Sequence, residues 1–162
     1  MTSAPLFRFS QISYATSNID EAAQRLSAIY GIDRFFITRD AAVESPEGPM
    51  RIHSGQAFVN GRHIEVIQPA GGPDGVYRDL LAKDGFSLRV HHYGHLTRDP
   101  GEWEQIQAFI GEKGWRIALG GNFADMMHYV YVDTRADLGH YLEFMYQTEL
   151  GESMFAEVPI YV

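Results

Sequence analysis

Apolar and polar residues alternate over residues 9–16 (FSQISYAT), the period of a half-buried strand. Immediately afterwards Ile19, Ala22, Ala23, Leu26, Ile29 and Tyr30 recur at helical spacing. Asn18 offers the cap, Asp20 and Glu21 fill the first turn, and Gly31 supplies the stop. The strand period returns at residues 35–38 (FFIT), and residues 40–50 read as a Pro- and Gly-containing loop. Residues 56–59 and 62–68 then flank Asn60-Gly61, a dipeptide whose readiness for positive φ makes it the strongest short signal of a hairpin.

The same order of elements then repeats. Residues 88–96 (LRVHHYGHL) read as a strand, Asp99-Pro100 as a helix start, Trp103, Ile106, Phe109 and Ile110 as an apolar helix face, and Gly114 as its end. Strands are expected at 115–119, 127–133 and 139–147. The spacing agrees between copies: Gln11 to Gly31 is 20 positions and His92 to Gly114 is 22, while Gln11 to Glu65 is 54 and His92 to Glu143 is 51. The expected fold class is α+β, with two tandem βαβββ units forming one curved mixed sheet, a cup with its helices on the convex side. Unit one spans about residues 9–69, a connector containing a short helical VYRDLLAK about 70–86, and unit two about 87–148, within a single domain over 1–162. The tail after Thr148 is expected to form an accessory strand or arm.

Because alternate residues of a strand share a face, the repeat also predicts which side chains meet. Gln11 lies with Ser13 and Ala15, Glu65 with His63 and Ile67, His92 with Val90 and Gly94, and Glu143 with Tyr141 and Met145. The opposite faces carry Ile12, Tyr14, Ile64, Val66, Leu142 and Phe144, which should pack under the helices. What remains is a concave side bearing a carboxamide, two carboxylates and an imidazole. All are oxygen or nitrogen donors suited to a divalent cation, and carboxylates there are costly to bury unless paired or metal-bound. His91 and His95 compete with His92, since at i,i+4 they would make a metal pair on a helix. Gly94, Leu88 and Val90 favour a strand, on which His91, Tyr93 and His95 point away from His92 as packing or surface groups.

Composition narrows the chemistry further. The chain has no cysteine, which excludes disulfides, thiolate nucleophiles and cysteine-held metals. Its formal net charge of -8 repels phosphate backbones and anionic membranes, so neither nucleic acid nor a membrane is an expected partner. The start MTSAPLFRFS has no apolar signal core, and no run approaches the roughly 20 apolar residues of a membrane span. A soluble cytoplasmic protein is expected.

The stretches FSQISYATSNIDEA, RHIEVIQP, YRDLLAKDGFSLRVHHYG and HYVYVDTRADLGHYLEFMYQ resemble the vicinal oxygen chelate superfamily of glyoxalases, methylmalonyl-CoA epimerases, bleomycin-resistance proteins and extradiol dioxygenases. The likeness spans about residues 9–148 and is greatest to the glyoxalase I-like and epimerase-like branch. It implies metal ligands on the first and last strand of each unit, at Gln11, Glu65, His92 and Glu143, the second histidine of the pair being the ligand. It also implies a divalent metal ion, zinc first, with nickel, cobalt or manganese as alternatives, and a homodimer acting on a small-molecule substrate. Glutathione-dependent members hold their substrate with an Arg, an Asn and an Arg at places occupied here by Ala15, Pro69 and Leu88, so glutathione recognition is not carried over. Gln11 likewise breaks the two-His, one-carboxylate iron triad of the dioxygenases.

The resulting expectation is a metal-dependent lyase or isomerase that abstracts a proton next to a carbonyl and stabilises an enediolate on the metal. Glu143 is the first candidate base and Glu65 the second. His63, Asn122 and Tyr141 are expected to line the substrate pocket, with Asn122 and Phe123 on a loop over the cup and residues 39–55 and 118–127 as the loops that read the substrate. The alternative is a non-catalytic small-molecule-binding protein of the bleomycin-resistance type, motivated by Tyr14, Phe58, Tyr93, Tyr131 and Tyr141.

Overall fold

The structure is a computed structural model that describes residues 6–162, so part of the stretch searched for a signal segment, residues 1–5, lies outside the described residues. The first unit comprises β1 (Gln11–Thr16), α1 (Ile19–Tyr30), β2 (Phe36–Val43), β3 (Met50–Val59) and β4 (Arg62–Gly71). A single helical turn, α2 (Gly75–Arg78), connects it to the second, formed by β5 (Leu88–Thr97), α3 (Pro100–Lys113), β6 (Ile117–Phe123), β7 (Met127–Val132), α4 (Arg135–Leu138) and β8 (Tyr141–Gln147). A 3₁₀ turn at Glu149–Gly151 and the short β9 (Ile160–Tyr161) complete the tail.

Both long helices begin and end by local chemistry that the sequence announces. The Asn18 side chain accepts from the backbone of Asp20 and Glu21, and Asp99 accepts from Gly101 and Glu102. Gly31 and Gly114 close the helices in the left-handed region, at φ 68° and 63°.

The strands form one sheet in the order β2-β3-β4-β1-β5-β8-β7-β6, with β9 added on β3. Each unit pairs its first and last strands in parallel, β1 with β4 and β5 with β8, and the antiparallel pair β1–β5 joins the units. The sheet curls until its outer strands approach each other: the Tyr129 hydroxyl donates to the Glu44 carbonyl at 3.2 Å. Gly121 fits this seam because a Cβ there would stand 2.3 Å from that same carbonyl. The cup is therefore made within one chain.

Helix α1 buries Ile19, Ala22, Ala23 and Leu26 against Ile64 and Val66, with Ile12 and Tyr14 at the margin. Helix α3 buries Ile106 and Ile110 against Val130, Val132 and Phe144. These are the convex faces expected from alternation. A third apolar cluster, including Ile52, Ile67, Tyr77, Tyr131 and Met145, lines the concave side. No helix among the described residues is long and apolar enough to cross a membrane.

Several boundaries differ from the sequence reading for physical reasons. The expected loop at 40–50 shrinks to residues 44–49, because Ala41, Val43, Met50 and Ile52 bury on the concave side and carry β2 and β3 almost to the tip. Likewise β6 runs through Phe123 and turns at Ala124 and Asp125, both at positive φ, so there is no loop over the cup at 120–123. Most of the stretches expected as substrate-reading loops are thus strand walls. The connector's helical reading contracts to α2.

Candidate functional site

Strand register builds the site. Gln11 stands beside Gly94, which stands beside Glu143; one step along, Glu65 stands beside Ser13, and Ser13 beside His92. Each row places a small residue between the larger donors, so side chains from the neighbouring strands can lean over it. A Cβ on Gly94 would lie 2.4 Å from Gln11 Oε1, which is why this position holds glycine. Ser13 uses its hydroxyl to donate to Glu65 Oε2 at 2.8 Å.

The side chains meet at His92 Nε2. Glu143 Oε2 lies 2.9 Å from it, Gln11 Oε1 3.1 Å and Glu65 Oε2 3.7 Å. The structure thus brings Gln11, Glu65, His92 and Glu143 together on the cup wall, His92 and Gln11 fully covered and both carboxylates nearly so. Burial pushes the Glu65 carboxyl up to about 7 against the downward pull of His92, and the neighbouring Glu143 adds to the rise.

His91 departs from the expected alternation. The β1–β5 register shifts between Ser13 and Tyr14: Ser13 faces His92, whereas Tyr14 faces Val90. One residue of β5 is therefore unpaired, and the bulge turns His91 to the same side as His92 instead of away from it. The His91 ring packs among Tyr77, Tyr131 and Tyr141, at centroid distances of 4.6, 5.3 and 4.9 Å. Val90, expected beside His92, moves to the Tyr14 face. His95 and Tyr93 do lie on the other side, His95 against Glu102 and Phe144 and Tyr93 against Phe9.

The bulge has a chemical consequence. His91 Nε2 stands 3.0 Å from the Val76 carbonyl on α2, and a carbonyl only accepts, so the His91 proton sits on Nε2. The two Nδ1 atoms of His91 and His92 are 2.7 Å apart and share one proton. Burial holds His91 far below the ordinary imidazole range, hence neutral, so that proton belongs to His92 Nδ1. His92 Nε2 is then left facing oxygens that only accept. Such an array is satisfied by a proton on Nε2 or by a cation.

The other end of the network is fixed in the same way. With its oxygen toward His92, the Gln11 amide donates through Nε2 to His63 Nδ1 at 3.1 Å. The His63 proton therefore lies on Nε2, and that atom is the one buried side-chain nitrogen or oxygen without a hydrogen-bond partner among the described residues. Burial and the nearby His92 push the His63 pKa down to about 3.

Donor chemistry fits a divalent cation: one imidazole nitrogen, one amide oxygen and two carboxylates, with no Lys or Arg in the cavity wall among the described residues. The Nε2-to-oxygen separations of 2.9–3.7 Å also bracket the edge of about 3 Å between neighbouring ligands on an ion with bonds of about 2.0–2.2 Å. Among the described residues no three His, Cys, Asp or Glu side chains form a ready-made cage.

The cavity beside these donors has a volume of about 180 Å³. Ile52, Ile67, Phe123, Met127 and Met145 form its apolar walls, and Met154 and Phe155 of the tail lie across it. His63 lines it. Tyr141 instead packs behind the site, between His91 and the Arg135 guanidinium, which lies 4.6 Å above its ring. Asn122 is spent on its own hairpin, bonding the side chain and backbone of Asp125. Of the aromatic residues proposed to hold a flat ligand, only Tyr131 lines the cavity; Tyr14 belongs to the cluster under α1, and Phe58 stacks on His63. The sequence reading missed Tyr77, whose hydroxyl meets that of Tyr131 at 2.9 Å. Its signal was an aromatic residue beside Val76 in the short helical VYRDLLAK of the connector.

No protein-family model and no curated protein sequence matches the chain. Solved structures do. A methylmalonyl-CoA epimerase from Streptomyces coelicolor in complex with 2-nitronate-propionyl-CoA superposes with a TM-score of 0.61 at 20% identity, covering 88% of this chain and 99% of that one. The methylmalonyl-CoA epimerase from Mycobacterium tuberculosis gives 0.60 at 12% identity over 91% and 93% of the two chains. A hypothetical protein from Bacillus halodurans gives 0.58 at 15% identity over 88% and 95%. With its paired βαβββ units curled into one sheet, the chain has the fold of these methylmalonyl-CoA epimerases.

Proposed function

We propose that this protein is a divalent-cation-dependent isomerase or lyase that moves a proton on the carbon next to a carbonyl. The observation that carries the reading is that Gln11, Glu65 and Glu143, which line one cavity, turn their oxygens to the buried His92 Nε2 behind them. Those residues would hold the cation. When bound, it polarises the substrate carbonyl and stabilises the negative charge that develops on its oxygen. The protein's own contribution is positional. Gln11 and His92 are held by hydrogen bonds through their second polar atoms, so their orientation is set before substrate arrives. Glu143 is the base that takes the proton, and Glu65, whose Oε2 lies 3.7 Å from His92 Nε2, is the second carboxylate that would return it. The apolar walls keep water from the carbanion.

Substrate class follows from the wall. Among the described residues no Lys or Arg lines the cavity, so the part of the substrate enclosed there is uncharged or carries its charge on the oxygens at the donors. That argues against glutathione, whose carboxylates would find no cation. A thioester or hydroxy ketone with a short apolar body fits, and the fold shared with epimerases solved with a CoA-ester analogue supports the isomerase side of the reading.

The test is metal analysis of the purified protein, followed by deuterium incorporation from D₂O into a panel of α-hydroxy ketones and 2-methyl acyl thioesters. Exchange is expected to require zinc, nickel, cobalt or manganese. Glu143→Gln is expected to slow it by about 10²- to 10⁴-fold, the usual contribution of a placed base. Exchange that survives this change unaltered removes Glu143 from the role.

A further inference from the structure

The network that orients Gln11 ends on an atom with nothing to bond. His63 lies on β4 two positions before Glu65 and thus on the same face, opposite Gln11 in the parallel register. Its Nδ1 accepts from the Gln11 amide, which leaves the proton on Nε2. That N–H is buried and has no partner among the described residues, and its ring lines the cavity that Gln11, Glu65 and Glu143 also line. The ring has little freedom to seek a partner elsewhere, being stacked on Phe58 at 4.9 Å and flanked by Phe155 at 5.0 Å. A buried donor without an acceptor is costly, and folded proteins keep few of them without a use.

We propose that His63 Nε2–H is the hydrogen-bond donor that receives an acceptor oxygen of the substrate, a carbonyl, enolate or carboxylate oxygen, beside the candidate cation seat. This rests on the function proposed above and deepens it. The substrate carries, besides the oxygen at the donors, a second acceptor oxygen within reach of His63, and analogues that replace it by hydrogen or a methylene leave the donor unpaired. A site that must pair a buried N–H discriminates against such analogues more sharply than an apolar wall does. The Gln11 amide serves both ends, since the contact that turns its oxygen toward His92 also fixes the His63 proton on Nε2.

The experiment uses zinc and acetohydroxamate, a small probe with two neighbouring oxygens. In long-range ¹H–¹⁵N spectra of the protein, His63 is expected as the Nε2–H tautomer, with its Nε2 proton moving downfield when acetohydroxamate is added to the zinc-loaded protein. A Nδ1–H tautomer, or a proton that does not move at saturating probe, overturns the proposal without any variant. His63→Asn keeps an acceptor for Gln11 but has no group at the Nε2 position. It is expected to bind zinc as the wild type does and acetohydroxamate roughly 10- to 100-fold more weakly, the usual range for a donor to a charged acceptor. His63→Gln, whose amide nitrogen reaches the Nε2 position, is expected to recover part of that loss. Unchanged probe affinity in His63→Asn with normal zinc uptake overturns this proposal alone. A wild-type protein that takes up none of zinc, nickel, cobalt and manganese overturns the function reading, and this proposal with it.

Discussion

Histidine 91 illustrates how a residue that meets none of the candidate donor oxygens can set the chemistry of the neighbour that does. Its bond to the Val76 carbonyl decides where its own proton sits, and that decides which nitrogen of His92 faces Gln11, Glu65 and Glu143. Partners of this kind are typically worth about 10- to 100-fold in metal affinity. Replacing His91 with Phe, which keeps the ring among the tyrosines and removes the acceptor, is expected to weaken zinc binding by that order, measured by competition with a chromophoric chelator. His91→Asn, whose side-chain oxygen reaches the Nδ1 position, is expected to retain most of the affinity. Equal affinities in wild type and His91→Phe would show that the relay does not position His92. At this scale the sequence was informative about identity and silent about contact. Gln11, Glu65, His92 and Glu143 were legible from alternation and repeat spacing together. His91 was not, because a bulge breaks the alternation on which the reading depended. Asn122 misled because a turn-forming carboxamide and a ligand-facing one look alike in a string of letters.

Elements were read well where local chemistry sets their ends and poorly where burial does. The caps Asn18, Asp99, Gly31 and Gly114 sit where the sequence put them. Strands β2, β3 and β6 outran the expectation because their extra residues are stabilised by the opposite wall of the cup, a partner far along the chain. The short α4 shows how a turn can support the site from behind. Two hydrogen bonds of 2.8 Å from Arg135 hold the Asp133 carboxyl at about 2, below its usual 3.8, and place the guanidinium over Tyr141, which packs on His91. A carboxyl with a depressed folded-state pKa stabilises the protein fully above its unfolded pKa and loses that contribution as pH falls through the folded one. The stability gap between wild type and Asp133→Asn is therefore expected to be constant down to about pH 4, to narrow between about pH 4 and 2, and to be gone below. Urea titrations across that range check it, and a gap independent of pH would rule out the ion pair as its source.

Closure of the cup is a property of the whole molecule. Two units joined through β1 and β5 bring donors from residues 11 and 143 into one cluster, and the curl of the sheet carries the outer strands round to the Tyr129–Glu44 seam. Clustered buried carboxylates also predict a stability response. A cation that binds the folded state alone stabilises it by about 2.7 kcal/mol at a hundredfold excess over its dissociation constant. Added zinc is accordingly expected to raise the melting temperature by several degrees, and a chelator to reverse it; a melting curve indifferent to zinc, nickel, cobalt and manganese alike would count against the cation seat. By itself the sequence determined the duplicated order of elements, the capped helices, the cysteine-free donor set and the face on which each donor lies, since all of these follow from local propensity and a period of two or 3.6 residues. Only the tertiary structure decided which donors touch, which nitrogen of His63, His91 and His92 carries the proton, how far the hairpins extend, and that one chain closes its own cup. Those depend on register, a bulge and curvature, which arise between strands distant in sequence and leave no periodic trace along any one of them.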